Sequence, residues 1–294
     1  MDSLDCFFQV LQQGVDEFTL QFWREVLSQV LFPMLEDIDL AIQTPSRRND
    51  DKERSFYLST IQAVVQGFND FLLANLDKLS FMLPVYTDVL VLFISQTQSR
   101  RIIQVLIICF QQFMQKLGGY VTAEMWTEII ETFCLCFNKS NPGSQLMEQI
   151  DNFISLHEKK SSQQSEDHKE AFRKRISENE IALEQILSKC LVQLFVVNTL
   201  KDALDTSYDK LSVEDSERML DTLQRSYDQS NAVTSAFANC VKMQRVDQMA
   251  GLQLFRGLVS QEYRSLAAVL TLKFYSYFSP KDGQPSDNSN SLFS

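Results

Sequence analysis

A helical pattern that occurs twice, once around each of the two tryptophans, constrains the fold of this chain more than any other feature. Thr19 and Thr122 each stand four residues before a tryptophan, Trp23 and Trp126, and apolar residues follow each tryptophan at +3, +4, +7, +8 and +11, with Glu at +2. This spacing is one face of an α-helix, and Thr is a favoured helix N-cap. Because the tryptophans lie roughly 100 residues apart, each repeat unit must contain several helices.

The composition favours helices throughout the chain. There are 22 Phe residues against 8 Gly and 6 Pro, which is too few turn formers for an all-β protein. We therefore predict an all-α fold, a HEAT- or armadillo-like right-handed α-solenoid of about ten helices. Its predicted structural anchors are Trp23, Trp126 and Pro33, with the two tryptophans in equivalent positions of successive units.

Changes in composition along the chain predict four segments. These are a first helical repeat block at 1–138, a polar and largely flexible linker at 139–180, a second helical repeat block at 181–279, and a disordered tail at 280–294. The linker prediction depends on residues 158–175, which contain almost no apolar side chain and cannot offset the entropy of ordering. In the second block, Ser212 and Asp215 match a capping box, with Asp in the place where Glu is preferred.

Charge and hydropathy exclude several classes of function. The net charge of −11 argues against a nucleic-acid partner, since binding phosphates needs a basic face. The start of the chain is acidic and predicts no signal peptide. The apolar stretch 81–94 is too short for a membrane span and is expected to be a buried helix. The six cysteines lie mostly in apolar helical stretches, which predicts buried free thiols in a reducing cytoplasm.

The sequence shows no constellation of residues that carries chemistry. Its two histidines, His157 and His168, lie in the polar linker without a Cys partner at ligand spacing. Phosphate-binding glycine loops, a nucleophile elbow and a metalloprotease helix are all missing. We therefore predict no catalytic residue, no cofactor site, no metal site and no enzyme activity. An enzyme whose site the sequence does not reveal is the remaining alternative from another class.

Several stretches resemble a known family. They include residues 22–33, 56–60 and the unit around Trp126, followed by 189–194, the helix 216–227 and the helix containing Phe237. Together they resemble the helical homology regions downstream of the catalytic domain in the brefeldin-A-inhibited, BIG-type Arf guanine-nucleotide exchange factors of the Sec-seven family. The non-catalytic Mon-two-type scaffolds are similar in architecture. The likeness covers about 3–138 and 181–279.

The resemblance implies a role without catalysis. The family's exchange domain carries a Phe-Arg-Leu-Pro-Gly-Glu segment, whereas the only Pro-Gly here, Pro142-Gly143, is followed by Ser144. The implied function is a regulatory or recruitment module of an Arf exchange factor in Golgi vesicle trafficking. It would bind Arf- or Rab-type GTPases, and lie on Golgi and trans-Golgi membranes through its partners. A homodimer through other parts of a longer protein is left open. The alternative is a HEAT-type trafficking scaffold or adaptor without an exchange domain.

Overall fold

The computed structural model describes residues 3–43, 51–97, 99–117, 120–142, 166–242 and 249–278. These residues form nine helical segments and no strand, so the described chain is all-α, as predicted, with about nine helices rather than ten. The segments are α1 (Ser3–Gln13), α2 (20–43), α3 (Asp51–Ala74), α4 (Leu76–Gln96), α5 (Arg100–Leu117), α6 (Ala123–Lys139), α7 (Glu166–Ser207), α8 (Val213–Lys242) and α9 (Met249–Phe278).

Helix α2 continues past Pro33 because its turns widen just before this residue. The segment Val26–Leu31 is π-helical, and the N–H of Phe32 donates to the carbonyl of Leu27, five residues earlier. Proline lacks a backbone N–H, and in an α-helix its ring collides with the carbonyl four residues earlier. A π-turn at this place accommodates proline without ending the helix.

Helices pack against the helix two positions further along the chain. One row of contacts joins α1, α3, α5, α7 and α9, and a second row joins α2, α4, α6 and α8. Consecutive helices contact one another across the two rows, most extensively α8 and α9.

One hydrophobic core runs through both predicted blocks. Phe110 in α5, Phe133 in α6 and Phe195 in α7 form a ring cluster in which each pair of centroids is 5.6 Å apart. All three side chains are buried. Helix α7 begins at Glu166, inside the span 139–180 that was predicted as a linker. The rest of the predicted linker falls largely on residues 143–165. These residues and the predicted disordered tail at 280–294 lie outside the described residues.

Buried polar groups connect helices of the first block. The hydroxyl of Tyr86 donates to Oδ1 of Asn69 at 2.6 Å, and Nδ2 of Asn69 donates to the carbonyl of Cys109 at 3.2 Å. These bonds satisfy groups that would otherwise be costly to bury. They also fix α3, α4 and α5 relative to one another.

Among the described helices, α4 is the one that is long and apolar enough to cross a membrane, judged by length and composition. Its residues Leu76–Gln96 have a mean hydropathy of 1.5, and 56% of the apolar window is buried inside the structure. A helix in the core of a soluble protein can have the same length and composition, so these two properties are weak evidence for a membrane-spanning helix. The burial is what the sequence predicted for residues 81–94.

Candidate binding groove

Among the described residues, a groove lies between α5, α6 and the end of α7. Its volume is about 560 Å³. Its apolar lining comprises Phe110, Met114, Val121, Trp126 and Ala203. Its polar lining comprises Gln111, Gln115, Thr199, Asp202, Asp205, Thr206, Ser207 and Lys210. Binding sites in proteins combine apolar surface, which contributes affinity, with polar groups that fix the orientation of the ligand. This groove has both, and polar residues are the larger part of its lining.

Trp126 is held at this groove by the start of α6. The backbone N–H of Met125 donates to the hydroxyl of Thr122 at 3.3 Å, which caps the helix and fixes its first turn. The Trp126 side chain is only 4% exposed. Its indole Nε1 has no hydrogen-bond partner among the described residues. The indole Nε1 of Trp23, which lies in α2, has no partner among the described residues either. A buried donor without an acceptor costs about 1–3 kcal/mol.

The end of α7 gives the groove a negative rim. Asp202 and Asp205 lie close to the C-terminus of the helix, and its last turn carries no basic residue. The helix macrodipole is negative at this end, so both carboxylates add to a field of the same sign. Asp205 forms a salt bridge with Lys201. No salt bridge to Asp202 is found in the described part of the chain.

Burial raises the pKa of the Asp202 carboxyl above its ordinary value. The neighbouring Asp205 acts in the same direction, while the charges of Lys201 and Arg264 oppose it. The raised pKa means that the ionised carboxylate is less well stabilised here than in water. An added positive charge in the groove would therefore favour the ionised form of Asp202.

Contacts between elements hold the groove in shape. Lys210 follows α7 and is the one cation among the lining residues, and its Nζ donates to the carbonyl of Val121 at 3.1 Å. On the far side of α6, the hydroxyl of Thr127 donates to Oδ2 of Asp215 in α8 at 2.8 Å. The groove is therefore formed before any ligand arrives.

Of the residues that line the groove, the sequence analysis had assigned a role to one only, and that role was not in binding. Trp126 was expected as a structural anchor, whereas the rim carboxylates were placed in no site. A pair of acidic residues near the end of a helix, where basic residues are normally favourable, is the sequence signal that could have indicated the rim. Trp23 lies elsewhere, in α2, where it is 1% exposed and packs against Phe71 with the ring centroids 5.5 Å apart.

The third predicted anchor and the two histidines contribute nothing to the described groove. Pro33 is half-buried within α2. His157 lies outside the described residues, and His168 is in α7 far upstream of the rim. In the part of the chain that the structure describes, no group of three or more His, Cys, Asp or Glu residues could hold a metal ion.

Residues 191–293 match the family model described as the BIG2 C-terminal domain. The matched part begins within α7, includes α8 and α9, and amounts to about a third of the chain. Comparison with curated proteins and with solved structures gives no significant match.

The family assignment made from the sequence is corrected by this finding. The matched family, the BIG2 C-terminal domain, is not the downstream region of the BIG-type Arf exchange factors. The match covers the resembling stretches from 191 onwards and does not reach the Trp23 and Trp126 helices. Apolar helices with similar spacing occur in many unrelated helical arrays. The likeness of these stretches therefore does not assign the chain to the Arf exchange factors.

Proposed function

We propose that this chain is a non-catalytic helical binding module that holds a segment of a partner protein in the groove between α5, α6 and α7. The observation that carries the proposal is the groove itself. It combines apolar side chains with polar ones and with a rim that carries two carboxylates, Asp202 and Asp205. These features suit recognition of a peptide segment, since apolar area provides affinity and a few polar groups fix orientation.

We also infer that the helices stack as a right-handed α-solenoid of the HEAT or armadillo type. The support is the two rows of contacts, in which alternate helices pack along each row. Such an array presents long surfaces to partners. Trp23 and Trp126 both follow a threonine cap in helices of the second row, which supports their role as anchors of repeated units.

The cellular setting stays a prediction. The resemblance implied a regulatory module of an Arf exchange factor, with a HEAT-type trafficking scaffold or adaptor as the alternative. We propose the second of these, a cytoplasmic scaffold or adaptor in vesicle trafficking that is bound to Golgi membranes through its partners. Arf- and Rab-type GTPases remain the partners to test first. The net charge of −11 supports a protein partner rather than a nucleic acid.

A pair of matched variants tests the groove as the site. Gln115 lines the groove on α5, while Gln104 is exposed on the same face of this helix three turns earlier and does not line it. Twelve-residue peptides would be selected from a random display library on the wild-type chain, and their affinities measured by fluorescence anisotropy. GTP-loaded Arf and Rab proteins would be measured in parallel.

Gln115→Trp places a large ring in the groove and should abolish binding of the selected peptides. Gln104→Trp adds the same bulk outside it and should leave their affinity unchanged. Equal effects of the two substitutions would contradict the proposal, as would a library that yields no binders.

A further inference from the structure

We propose that the outward face of α9 is a second docking surface, which binds an acidic amphipathic helix of a partner protein. This inference goes beyond the groove, because α9 contributes none of the residues that line the groove. It gives the chain a site for a whole helix in addition to the site for a peptide segment.

Buried polar bonds fix the direction in which α9 presents its faces. Nε2 of Gln261 donates to Oε1 of Gln193 in α7 at 3.2 Å and to Oγ of Ser226 in α8 at 3.0 Å. Oγ of Ser265 donates to Oγ of Ser226 at 2.8 Å. All four side chains are buried. Because α9 is held against two helices through Gln261 and Ser265, the opposite side of α9 faces outwards.

An apolar stripe runs along the outward side of α9. We call it the α9 stripe, and it consists of Tyr263, Ala267, Leu270, Phe274 and Tyr277. The four large side chains are between 51% and 68% exposed. Their spacing of 4, 3, 4 and 3 residues is the a/d repeat of a helix that packs lengthwise against another helix. A strict a/d stripe is narrower than the face that a helix buries against a broad surface, so its shape favours a helix as the occupant.

The residues beside the α9 stripe determine the charge of the partner. The e and g positions next to an a/d seam set partner choice through their charges. The charged residues at these positions are Arg264 and Lys273, both exposed. The one acidic residue of α9, Glu262, accepts a hydrogen bond from the hydroxyl of Thr234 in α8. Two copies of α9 would therefore bring like charges to one seam, whereas Glu or Asp beside the seam of a partner helix complements them.

The test uses a display library of four-heptad helical peptides, selected on the immobilised full chain. Their a and d positions carry random apolar residues, and their e and g positions carry Glu, Lys or Gln at random. Affinities of the selected peptides are then measured by fluorescence anisotropy for the wild-type chain and for variants.

Matched variants locate the site of binding. Leu270→Glu places a charge within the α9 stripe, and Leu135→Glu makes the same change at a 53% exposed position of α6. Lys273→Glu reverses one charge beside the stripe. Lys273 is chosen because Arg264 also interacts with Asn198 and with the Asp202 carboxylate of α7. Gln115→Trp changes the groove alone.

The selected peptides should carry Glu at most of their e and g positions. Leu270→Glu should weaken their binding about tenfold or more, as the loss of a central apolar contact does. Leu135→Glu and Gln115→Trp should leave their affinity unchanged. Lys273→Glu should reduce the preference for Glu over Lys in the peptide.

The inference is overturned if the library yields no binder or binders without a preference for Glu, or if Leu270→Glu and Leu135→Glu have equal effects. A dimer in sedimentation velocity that Leu270→Glu dissociates would assign the α9 stripe to a second copy instead. Binding to vesicles of four parts phosphatidylcholine and one part phosphatidylserine, lost in Leu270→Glu, would assign it to a membrane. Since Gln115→Trp tests the groove and Leu270→Glu the stripe, the two proposals fail separately.

Discussion

Asp215 connects two helices that lie far apart in the sequence. Its Oδ2 accepts hydrogen bonds from the N–H of Ser212 at 3.2 Å and from the hydroxyl of Thr127 at 2.8 Å, and its own N–H donates to Oγ of Ser212 at 3.0 Å. The reciprocal bonds confirm the capping box that the sequence predicted. The contact with Thr127 could not be predicted, because it depends on how α6 and α8 pack.

We expect Asp215→Ala to lower the free energy of unfolding by about 2 kcal/mol, since it removes the carboxylate half of the capping box and the partly buried hydrogen bond from Thr127. Asp215→Asn should cost less, because the amide oxygen still accepts. Glu214→Ala, at an exposed neighbour in the same helical turn, should stay within about 0.5 kcal/mol of wild type. Urea denaturation measures all three. If the Asp215→Ala variant is as stable as the Glu214→Ala variant, the Asp215 side chain contributes nothing to the stability of the fold.

The cysteines differ in reactivity because they differ in burial. Burial raises the pKa of Cys136 and of Cys190 to about 12. Both therefore remain neutral thiols at pH 8, and the thiolate is the reactive form. Cys6 is exposed, which departs from the prediction that the thiols are buried.

An aromatic disulfide reagent at pH 8 should modify Cys6 within minutes and should modify Cys136 and Cys190 only after denaturant is added. Peptide mapping by mass spectrometry identifies the modified residues. Modification of Cys136 in the folded chain at the rate of Cys6 would contradict the packing of α6 described above.

At the scale of single helices, α2 and α6 begin in the same way. The hydroxyl of Thr19 accepts from the N–H of Phe22, and that of Thr122 from the N–H of Met125, both at 3.3 Å. Thr19→Ala and Thr122→Ala should each lower the free energy of unfolding by about 1 kcal/mol. Serine at either position should retain most of the stability. If the free energy of unfolding falls at only one of the two positions, the two helix starts are not energetically equivalent.

Helices were the most predictable elements, and their ends were less so. The apolar spacing behind Trp23 and Trp126 indicated two helices that the structure contains. The second helical block was predicted to begin at residue 181, whereas α7 begins at Glu166. The intervening sequence is rich in Glu, Lys and Arg, which favour helix even without an apolar stripe. A low apolar content alone therefore does not distinguish a linker from a solvated helix.

For the whole molecule, the shared core predicts that the two blocks depend on each other. Phe195 is 1% exposed and contacts the rings of Phe110 and Phe133 from the first block. We expect Phe195→Ala to lower the free energy of unfolding by about 3–5 kcal/mol, through lost apolar burial and a new cavity. Phe56→Ala is the control, since that ring is 65% exposed. A Phe195→Ala chain as stable as the control would contradict a common core.

The groove could not be predicted from the sequence, because no single stretch contains it. Met114, Trp126 and Asp202 come from three helices, and each has an ordinary local role in its own helix: an apolar face, an anchor and a solvated carboxylate. Their proximity depends on the packing of α5, α6 and α7, which local periodicity does not specify. The sequence contains no recognised catalytic motif, which predicted a function without catalysis. It did not indicate where a binding site would lie.

The two indole N–H groups allow the most direct test of the groove. The chain has two tryptophans, so the spectrum of a 15N-labelled sample contains two indole signals, which Trp126→Phe assigns. On addition of a groove-binding peptide, the Trp126 signal should shift, because Trp126 lines the groove and a ligand changes its surroundings. The Trp23 signal, from a residue buried in α2 outside the groove, should stay in place. A peptide that binds and shifts neither signal, or shifts only that of Trp23, would show that the groove is not the binding site.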